Sequence, residues 1–401
     1  MNLDFIQQQV KSADTKIVML VLDGLGGLPS GPGGQTELEA AHTPNLDALA
    51  REGISGLHLP VGTGLTPGSG PGHLGLFGYD PIKYQVGRGV LAALGIEFDL
   101  RPGDVAARGN FCTLDDNGLV SDRRAGRIST ERNEELCKLL ETIKIEGVEV
   151  FIRTVKEHRF LFVLRGEGLS QELESTDPQA LGVKPLDVVA KTKAAEKTAR
   201  VVAEFVQKAG ELLAGHHPAN MLLLRGWAEK PNWPTFGEAF GLRACAIASY
   251  PMYRGVATLV GMDSLHAPTT LEDKFALVAE KWDDYDFFFI HKKDVDSRGE
   301  DGDFAAKVAA IENADQALPQ LLKLKPDVIL VTGDHSTPAQ LREHSWHPVP
   351  VLLHAKYCRT DEVQTFGERA CIRGALGPRF PGKELMPLML ANALRLAKFG
   401  A

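Results

Sequence analysis

Lys16-Ile17-Val18-Met19-Leu20-Val21-Leu22-Asp23-Gly24-Leu25-Gly26-Gly27 is an unbroken apolar run that ends on an acid and a glycine-rich turn. A short apolar run with β-branched residues is the pattern of a strand buried on both faces, hence of a mostly parallel sheet. Open α/β sheets hold their ligands at the carboxyl ends of such strands, so Asp23 stands where a site is expected. The alternative role for Asp23 is a turn residue or helix cap. The same pattern recurs twice. Asp286-Phe287-Phe288-Phe289-Ile290-His291 leads to the acidic segment 294–303, and Val328-Ile329-Leu330-Val331-Thr332-Gly333 leads to Asp334-His335-Ser336-Thr337-Pro338. Residues 244–248 and 349–353 read as further strands. Residues 254–262 read as helix or strand. Helices are expected after Thr43, with Pro44 as first residue, and over 89–94, 271–281, 305–324 and 385–397.

Between these α/β parts the texture changes. From about Asp104 come strand-like runs at 105–111, 148–153, 158–165 and 221–226, a turn at Asp115-Asp116-Asn117-Gly118, helical spacing over 131–141, and a long amphipathic stretch over 188–213. Pro231 to Pro234 reads as a linker. The expected fold is therefore α/β, with a mostly parallel sheet domain flanked by helices and split between residues 1–100 and 244–401. An α+β domain over 104–232 is inserted into it. The insertion begins soon after the Ser69 turn and is expected to overhang it.

The chain has 401 residues and a formal net charge of −8, with 44% apolar and 24% charged residues. Such a length favours two domains, and the composition is that of a soluble globular protein. There is no Lys/Arg-rich block, so neither nucleic acid nor membrane is expected as a partner. No apolar run reaches the length of about 18 residues that spans a bilayer, and no signal peptide is read at the N-terminus. Five widely spaced cysteines without a C-x-x-C pair fit reduced thiols in the cytoplasm.

Chemistry is concentrated in Thr66-Pro67-Gly68-Ser69-Gly70-Pro71-Gly72-His73 and in the clusters that follow the buried strands. A serine in a tight Gly/Pro turn before a helix meets free backbone N–H groups and the positive end of the helix dipole, where a phosphate can sit. The rival reading is an inert glycine-rich loop. Asp296 and Glu300 are spaced to share one face of a helical turn. The acidic segment around them reads otherwise as a solvated or calcium-binding loop, but its spacing does not match the EF-hand pattern. With Asp23, Asp334, His335 and His344, these residues form a carboxylate and imidazole set that suits Mn²⁺ or Zn²⁺. A serine beside two metal ions is an arrangement for phosphoryl transfer.

Taken in order, these stretches resemble the cofactor-independent phosphoglycerate mutases, in the shorter archaeal-type branch that also occurs in bacteria, within the alkaline phosphatase superfamily. The motifs that carry the resemblance are Val21-Leu22-Asp23-Gly24, Thr43-Pro44-Asn45-Leu46-Asp47, Pro67-Gly68-Ser69, Gly78-Tyr79-Asp80-Pro81 and Ala107-Arg108-Gly109-Asn110-Phe111. Further matches are Asp122-Arg123-Arg124-Ala125-Gly126-Arg127, the segment 299–303, Thr332-Gly333-Asp334-His335-Ser336-Thr337-Pro338, and His344 with Pro348-Val349-Pro350. They cover nearly the whole chain.

The resemblance implies an alkaline-phosphatase-like domain with two divalent metal ions, Mn²⁺ first and Mg²⁺, Co²⁺ or Zn²⁺ as the other ions to test. It implies that Ser69 is the nucleophile and becomes phosphoserine. Asp23, Ser69, Asp334 and His335 would hold one ion, and Asp296, Glu300 and His344 the other. Relatives usually carry histidine where Glu300 stands. Arg254 takes the place of a basic residue near the metals. Arg108, Arg123, Arg124 and Arg127 are expected to bind a small phosphorylated carboxylate, because guanidinium recognises carboxylate and phosphate in a bidentate manner. The implied activity interconverts 3-phosphoglycerate and 2-phosphoglycerate in glycolysis and gluconeogenesis. The alternatives are a phosphohydrolase or another phosphomutase of the superfamily, and a metal-binding protein without turnover. Neither motifs nor composition set the oligomeric state.

Overall fold

The computed structural model describes residues 3–31 and 33–400. The chain divides into two units, one formed by the chain up to Gln85 together with the chain from Trp233, the other by Val86–Asn232. Among the described residues the strands of the first segment are β1 (Ile17–Leu22) and β2 (Ile54–Leu59). Those of the second unit are β3 (Val105–Leu114), β4 (Val120–Asp122), β5 (Glu149–Lys156), β6 (Arg159–Arg165) and β7 (Met221–Ala228). The first unit then resumes with β8 (Ala244–Ala248), β9 (Asp263–His266), β10 (Phe287–Lys292), β11 (Val328–Thr332), β12 (Val349–Ala355) and β13 (Gly377–Pro381).

The first unit is one eight-stranded sheet in the order β13-β2-β12-β11-β1-β10-β8-β9. β1 is central and pairs in parallel with β10 and β11, while β12 runs antiparallel to both β11 and β2. Every residue of β1, β8, β10 and β11 is buried, as the continuous apolar runs require of strands covered on both faces. One face of the sheet packs Val18, Leu20, Phe288, Ile290, Ile329 and Val331 against Leu46, Leu271, Phe275, Ile311 and Leu318 of the covering helices. Because β11, β1 and β10 are parallel neighbours, their carboxyl ends and the loops that follow lie side by side.

The second unit is a smaller antiparallel sheet in which β3 pairs with β6 and β7, and β6 with β5. On β6 the side chains alternate. Phe160, Phe162 and Leu164 enter a core with Leu136, Val202, Phe205 and Leu213 from the helices Thr130–Leu140 and Glu196–Leu213. The helix Arg88–Gly95 belongs to this unit, although the sequence boundary at residue 100 placed it with the first. Gly89 lets it approach β3 closely, for a Cβ there would stand 2.3 Å from the Ala106 carbonyl oxygen.

Several local expectations need correction. The long helix begins at Glu196, not Val188, because the stretch up to Lys191 is held by pairing with residues 172–174 and Lys193–Ala195 form a 3-10 turn. Glu174 N–H donates to the Val189 carbonyl and Lys191 N–H to the Glu172 carbonyl. The last helix stops at Asn392 rather than 397, with Leu394 at φ 59. The ambiguous run at 254–262 is mostly the helix Pro251–Leu259. β2, β9 and β13 were not expected. They carry Gly, Ser, His, Asp and Pro among their apolar residues, and two of them lie at the sheet edges, where polar residues and proline are tolerated.

Candidate active site

The cluster is built on the first unit, at the carboxyl ends of β1, β10 and β11. Asp23 follows β1, Asp334 and His335 follow β11, and Asp296 lies on the helix Asp294–Asp301 directly after β10. All four are fully buried. Ser69 is the first residue of the helix Ser69–Leu76, one step further into the helix than the turn position read from sequence. Gly72 permits this placement, because a Cβ there would lie 2.3 Å from the Asp334 carbonyl oxygen.

Two groups of side chains present ligand atoms within 4.8 Å of one another. One is Asp23, Asp334 and His335; the other is Asp296, His335 and His344. His335 Nε2 lies 3.3 Å from Asp23 Oδ1, 3.2 Å from Asp334 Oδ2 and 3.3 Å from Ser69 Oγ. The ring's other nitrogen decides its tautomer. Thr337 Oγ1 donates to Asp296 Oδ1 at 2.6 Å, so at 2.9 Å from His335 Nδ1 it accepts the proton of that nitrogen. His335 Nε2 is then a lone pair, and burial holds the imidazole neutral, its pKa well below the usual value. Asp23 Oδ1 is buried without a hydrogen-bond partner, and Asp334 Oδ2 is buried with His73 Nδ1 3.1 Å away. A neutral nitrogen and two carboxylate oxygens thus converge on one point, which suits a divalent cation.

The electrostatics agree. Burial works against the charge on Asp23, yet Lys293, His291 and His335 together hold its carboxyl well below the usual range. Burial, then the charge of Asp23, pushes Asp334 up to about 6. The same two causes raise Asp296. Two carboxylates crowded in one dry site cannot both ionise freely until a cation joins them.

His344 completes the second group from a loop. Its ring stacks on His335 with centroids 3.6 Å apart, its Nδ1 lies 2.9 Å from the Pro67 carbonyl, and its Nε2 lies 3.6 Å from Asp296 Oδ1. Glu300 is not brought into either group among the described residues. It shares the helix with Asp296 but is exposed, and it acts at a distance by raising the pKa of Lys293. Arg254 is half-buried on the helix Pro251–Leu259 and donates to Ser264 Oγ at 3.1 Å. Lys293 is a cation in contact with both Asp23 and Asp296.

Sequence reasoning missed Lys293 and three supporting groups. His73 Nδ1 lies 2.8 Å from the Ser69 carbonyl and 3.1 Å from Asp334 Oδ2. His291 Nε2 lies 3.1 Å from Asp23 Oδ2, and Tyr253 stacks on the His291 ring at 3.8 Å. Such partners orient ligands and raise their basicity. His73 stands one helical turn after Ser69, and His291 and Lys293 flank the end of a buried strand. Those positions were the available signals.

The predicted substrate arginines lie in the second unit. Arg123 is bound by the buried Asp177 through two contacts of 2.9 and 2.7 Å, so it is at least partly structural. Arg124 and Arg127 are exposed. They sit on a turn in which Asp122 accepts the Arg124 and Gly126 N–H groups at 2.7 Å each, while Ala125, Gly126 and Arg127 hold φ of 46, 63 and 53. Non-glycine residues there are strained, a mark of functional loops. Arg108 on β3 stands opposite Arg225 on β7, which the sequence did not single out. Burial, then Arg88 among its neighbours, lowers the Arg225 pKa to about 10. Burial, with Arg159, Arg124, Arg108 and Arg127 nearby, drives His158 down to about 3. The unit therefore carries a concentrated cationic cluster.

The comparisons with known proteins agree with this chemistry. Residues 50–220 match the family model described as 2,3-bisphosphoglycerate-independent phosphoglycerate mutase. A protein of Aquifex aeolicus named "Probable 2,3-bisphosphoglycerate-independent phosphoglycerate mutase" is 51% identical over the full length of both chains. A protein of the same name from Thermus thermophilus is 53% identical over 99% of this chain and 98% of its own. The solved cofactor-independent phosphoglycerate mutase from Thermoplasma acidophilum superposes with a TM-score of 0.69 at 29% identity, over 94% of this chain and all of the other. By these likenesses over its whole length, the chain belongs to the 2,3-bisphosphoglycerate-independent phosphoglycerate mutase family.

Proposed function

We propose that the chain interconverts 3-phosphoglycerate and 2-phosphoglycerate through a phosphoserine at Ser69. The observation that carries the reading is the convergence of Ser69 Oγ, His335 Nε2, Asp23 Oδ1 and Asp334 Oδ2 within hydrogen-bonding range of one point. Asp23, Ser69, Asp334 and His335 would hold one divalent ion, and Asp296 and His344 the second. The ions, when bound, lower the pKa of the serine hydroxyl and neutralise phosphoryl charge. Mn²⁺ is the proposed metal, because the set is richer in carboxylate oxygen than in imidazole nitrogen.

The chain's own residues do the rest. Ser69, at a helix N-terminus, offers its hydroxyl beside backbone N–H groups that favour a phosphoryl dianion. Its oxygen forms the new P–O bond as the glycerate oxygen leaves and is protonated. The neighbouring glycerate hydroxyl then attacks the phosphoserine and gives up its proton, restoring Ser69. Lys293 adds positive charge where the transferring group carries negative charge. The arginines of the second unit are proposed to bind the glycerate carboxylate, which guanidinium groups recognise in a bidentate manner. The five cysteines are free thiols, which supports a reducing cytoplasmic setting.

The test is to incubate the Mn²⁺-loaded protein with 3-phosphoglycerate, without 2,3-bisphosphoglycerate, and to follow 2-phosphoglycerate and free phosphate together. Product 2-phosphoglycerate should dominate, and quenched protein should carry phosphate on Ser69 by mass spectrometry. Release of free phosphate alone would instead support a phosphohydrolase. Turnover by Ser69→Ala would refute the phosphoserine route.

A further inference from the structure

Lys307 is fully buried on the helix Phe304–Leu322. A lysine in a helix belongs by default at the surface. Here the ammonium donates all three protons to backbone carbonyls: Thr337 at 2.8 Å, and Gly24 and Gly26 at 3.0 Å each. The acceptors come from two loops, the one after β1 that carries Asp23 and the one after β11 that carries Asp334 and His335. The loops also touch directly, for Thr337 N–H donates to the Gly26 carbonyl at 3.0 Å and Ser336 bridges to Leu25 and Gly26. The counter-charge is Glu37, 1% exposed, whose Oε1 lies 4.0 Å from the ammonium and accepts the Ala339 N–H at 2.7 Å.

Each carbonyl is close in the chain to a ligand. Gly24 follows Asp23, and its N–H donates to Asp334 Oδ1 at 3.2 Å. Thr337 is the residue that bonds Asp296 and sets the His335 tautomer. An apolar side chain could fill the space of Lys307 but would leave buried carbonyls without this donor.

We propose that Lys307 and Glu37 form a positioning clamp that fixes the spacing of the Asp23 loop and the Asp334–Thr337 loop, and thereby sets the affinity of the Asp23, Asp334 and His335 group for a divalent ion. The proposal rests on the reading that this group holds a metal. Both residues are buried beneath the two loops, so both act through the ligands.

Mn²⁺ titration of the wild type, Lys307→Met and Glu37→Gln, each freed of metal first, tests it. Folding is checked by circular dichroism and by the thermal transition in excess chelator. Lys307→Met should bind Mn²⁺ about tenfold more weakly or worse at one site, the usual effect of losing a partner behind a ligand. Its kcat should recover at high Mn²⁺, with KM for phosphoglycerate unchanged. Glu37→Gln keeps an acceptor for Ala339 N–H while removing the charge, and should weaken Mn²⁺ binding by about tenfold. A clamp that serves stability alone would lower the transition in chelator and leave Mn²⁺ affinity intact, and that result overturns the proposal. Should Lys307→Met fail to fold, unchanged affinity in Glu37→Gln overturns it. A wild type that binds no Mn²⁺ refutes the metal reading itself, and the clamp with it.

Discussion

Lys293 Nζ lies 3.4 Å from Asp23 Oδ2 and is in direct contact with Asp296, so one ammonium links a carboxylate from each of the two candidate metal-ligating groups. Both carboxylates are buried, and they hold the half-buried lysine charged against the cost of its partial desolvation. It therefore places a positive charge between the two groups proposed to hold metal ions, where the proposed reaction passes a phosphoryl dianion.

Lys293→Met should lower kcat by about a hundredfold or more, as loss of a preorganised charge at a transferring group does. The comparison is steady-state turnover at saturating Mn²⁺, with far-UV circular dichroism to confirm the fold. A kcat within about threefold of wild type would remove Lys293 from the reaction.

Asp296 and Glu300 share a helix but not a fate. Asp296 is fully buried in the second group, while Glu300 is exposed outside it. Asp296→Asn should therefore weaken one Mn²⁺ site by about a hundredfold, and Glu300→Gln by less than about tenfold. Calorimetric titration of both variants decides. Equal losses would make Glu300 a ligand, as the resemblance implied.

The arginines should separate by role. Arg123→Ala breaks a pair with the buried Asp177 and should lower stability by about 2 kcal/mol, allowing for the partial exposure of the arginine. Arg124→Ala and Arg127→Ala should change stability by no more than about 0.5 kcal/mol. They should instead raise KM about tenfold, the effect of losing one charged hydrogen bond, and increase phosphate release relative to 2-phosphoglycerate. Denaturant unfolding and product analysis separate the classes. Unchanged KM and product ratio in both variants would exclude these two from substrate binding.

His58 predicts a pH dependence. It is fully buried, with Nε2 3.0 Å from Thr332 Oγ1, and burial lowers its pKa from 6.5 to about 4. Between those values the unfolded chain binds the proton and the folded protein does not, so stability is complete above pH 6.5 and is lost as pH falls toward 4. The contribution at stake is at most about 3 to 4 kcal/mol. Urea unfolding of metal-free protein across this range should show a steeper fall for wild type than for His58→Gln. Parallel curves would mean that His58 does not titrate on unfolding.

The sequence by itself determined the central strands, the Ser69 stretch and the chemistry they carry. Short apolar runs bounded by turn residues favour buried strands, and glycine and proline around Ser69 restrict the backbone locally, so β1, β10, β11 and the Ser69 stretch were legible from near neighbours, although the helix takes in Ser69 itself. The motifs Asp23-Gly24 and Asp334-His335 were legible for the same reason, because each closely follows its strand. What the tertiary structure decided is which side chains meet. Lys293 reaches Asp23 only because β10 and β1 are parallel neighbours in register, and nothing within either segment states that pairing. Lys307 reads as a solvent-facing helix charge, yet it ends among carbonyls as far as 283 residues away in the chain. Glu300 reads as a ligand from its spacing to Asp296, yet it is exposed, because helix periodicity sets which residues share a face, and packing sets how far around that face the buried zone extends. Local composition governs backbone conformation at short range, whereas burial and charge pairing depend on strand order and loop approach across the whole unit.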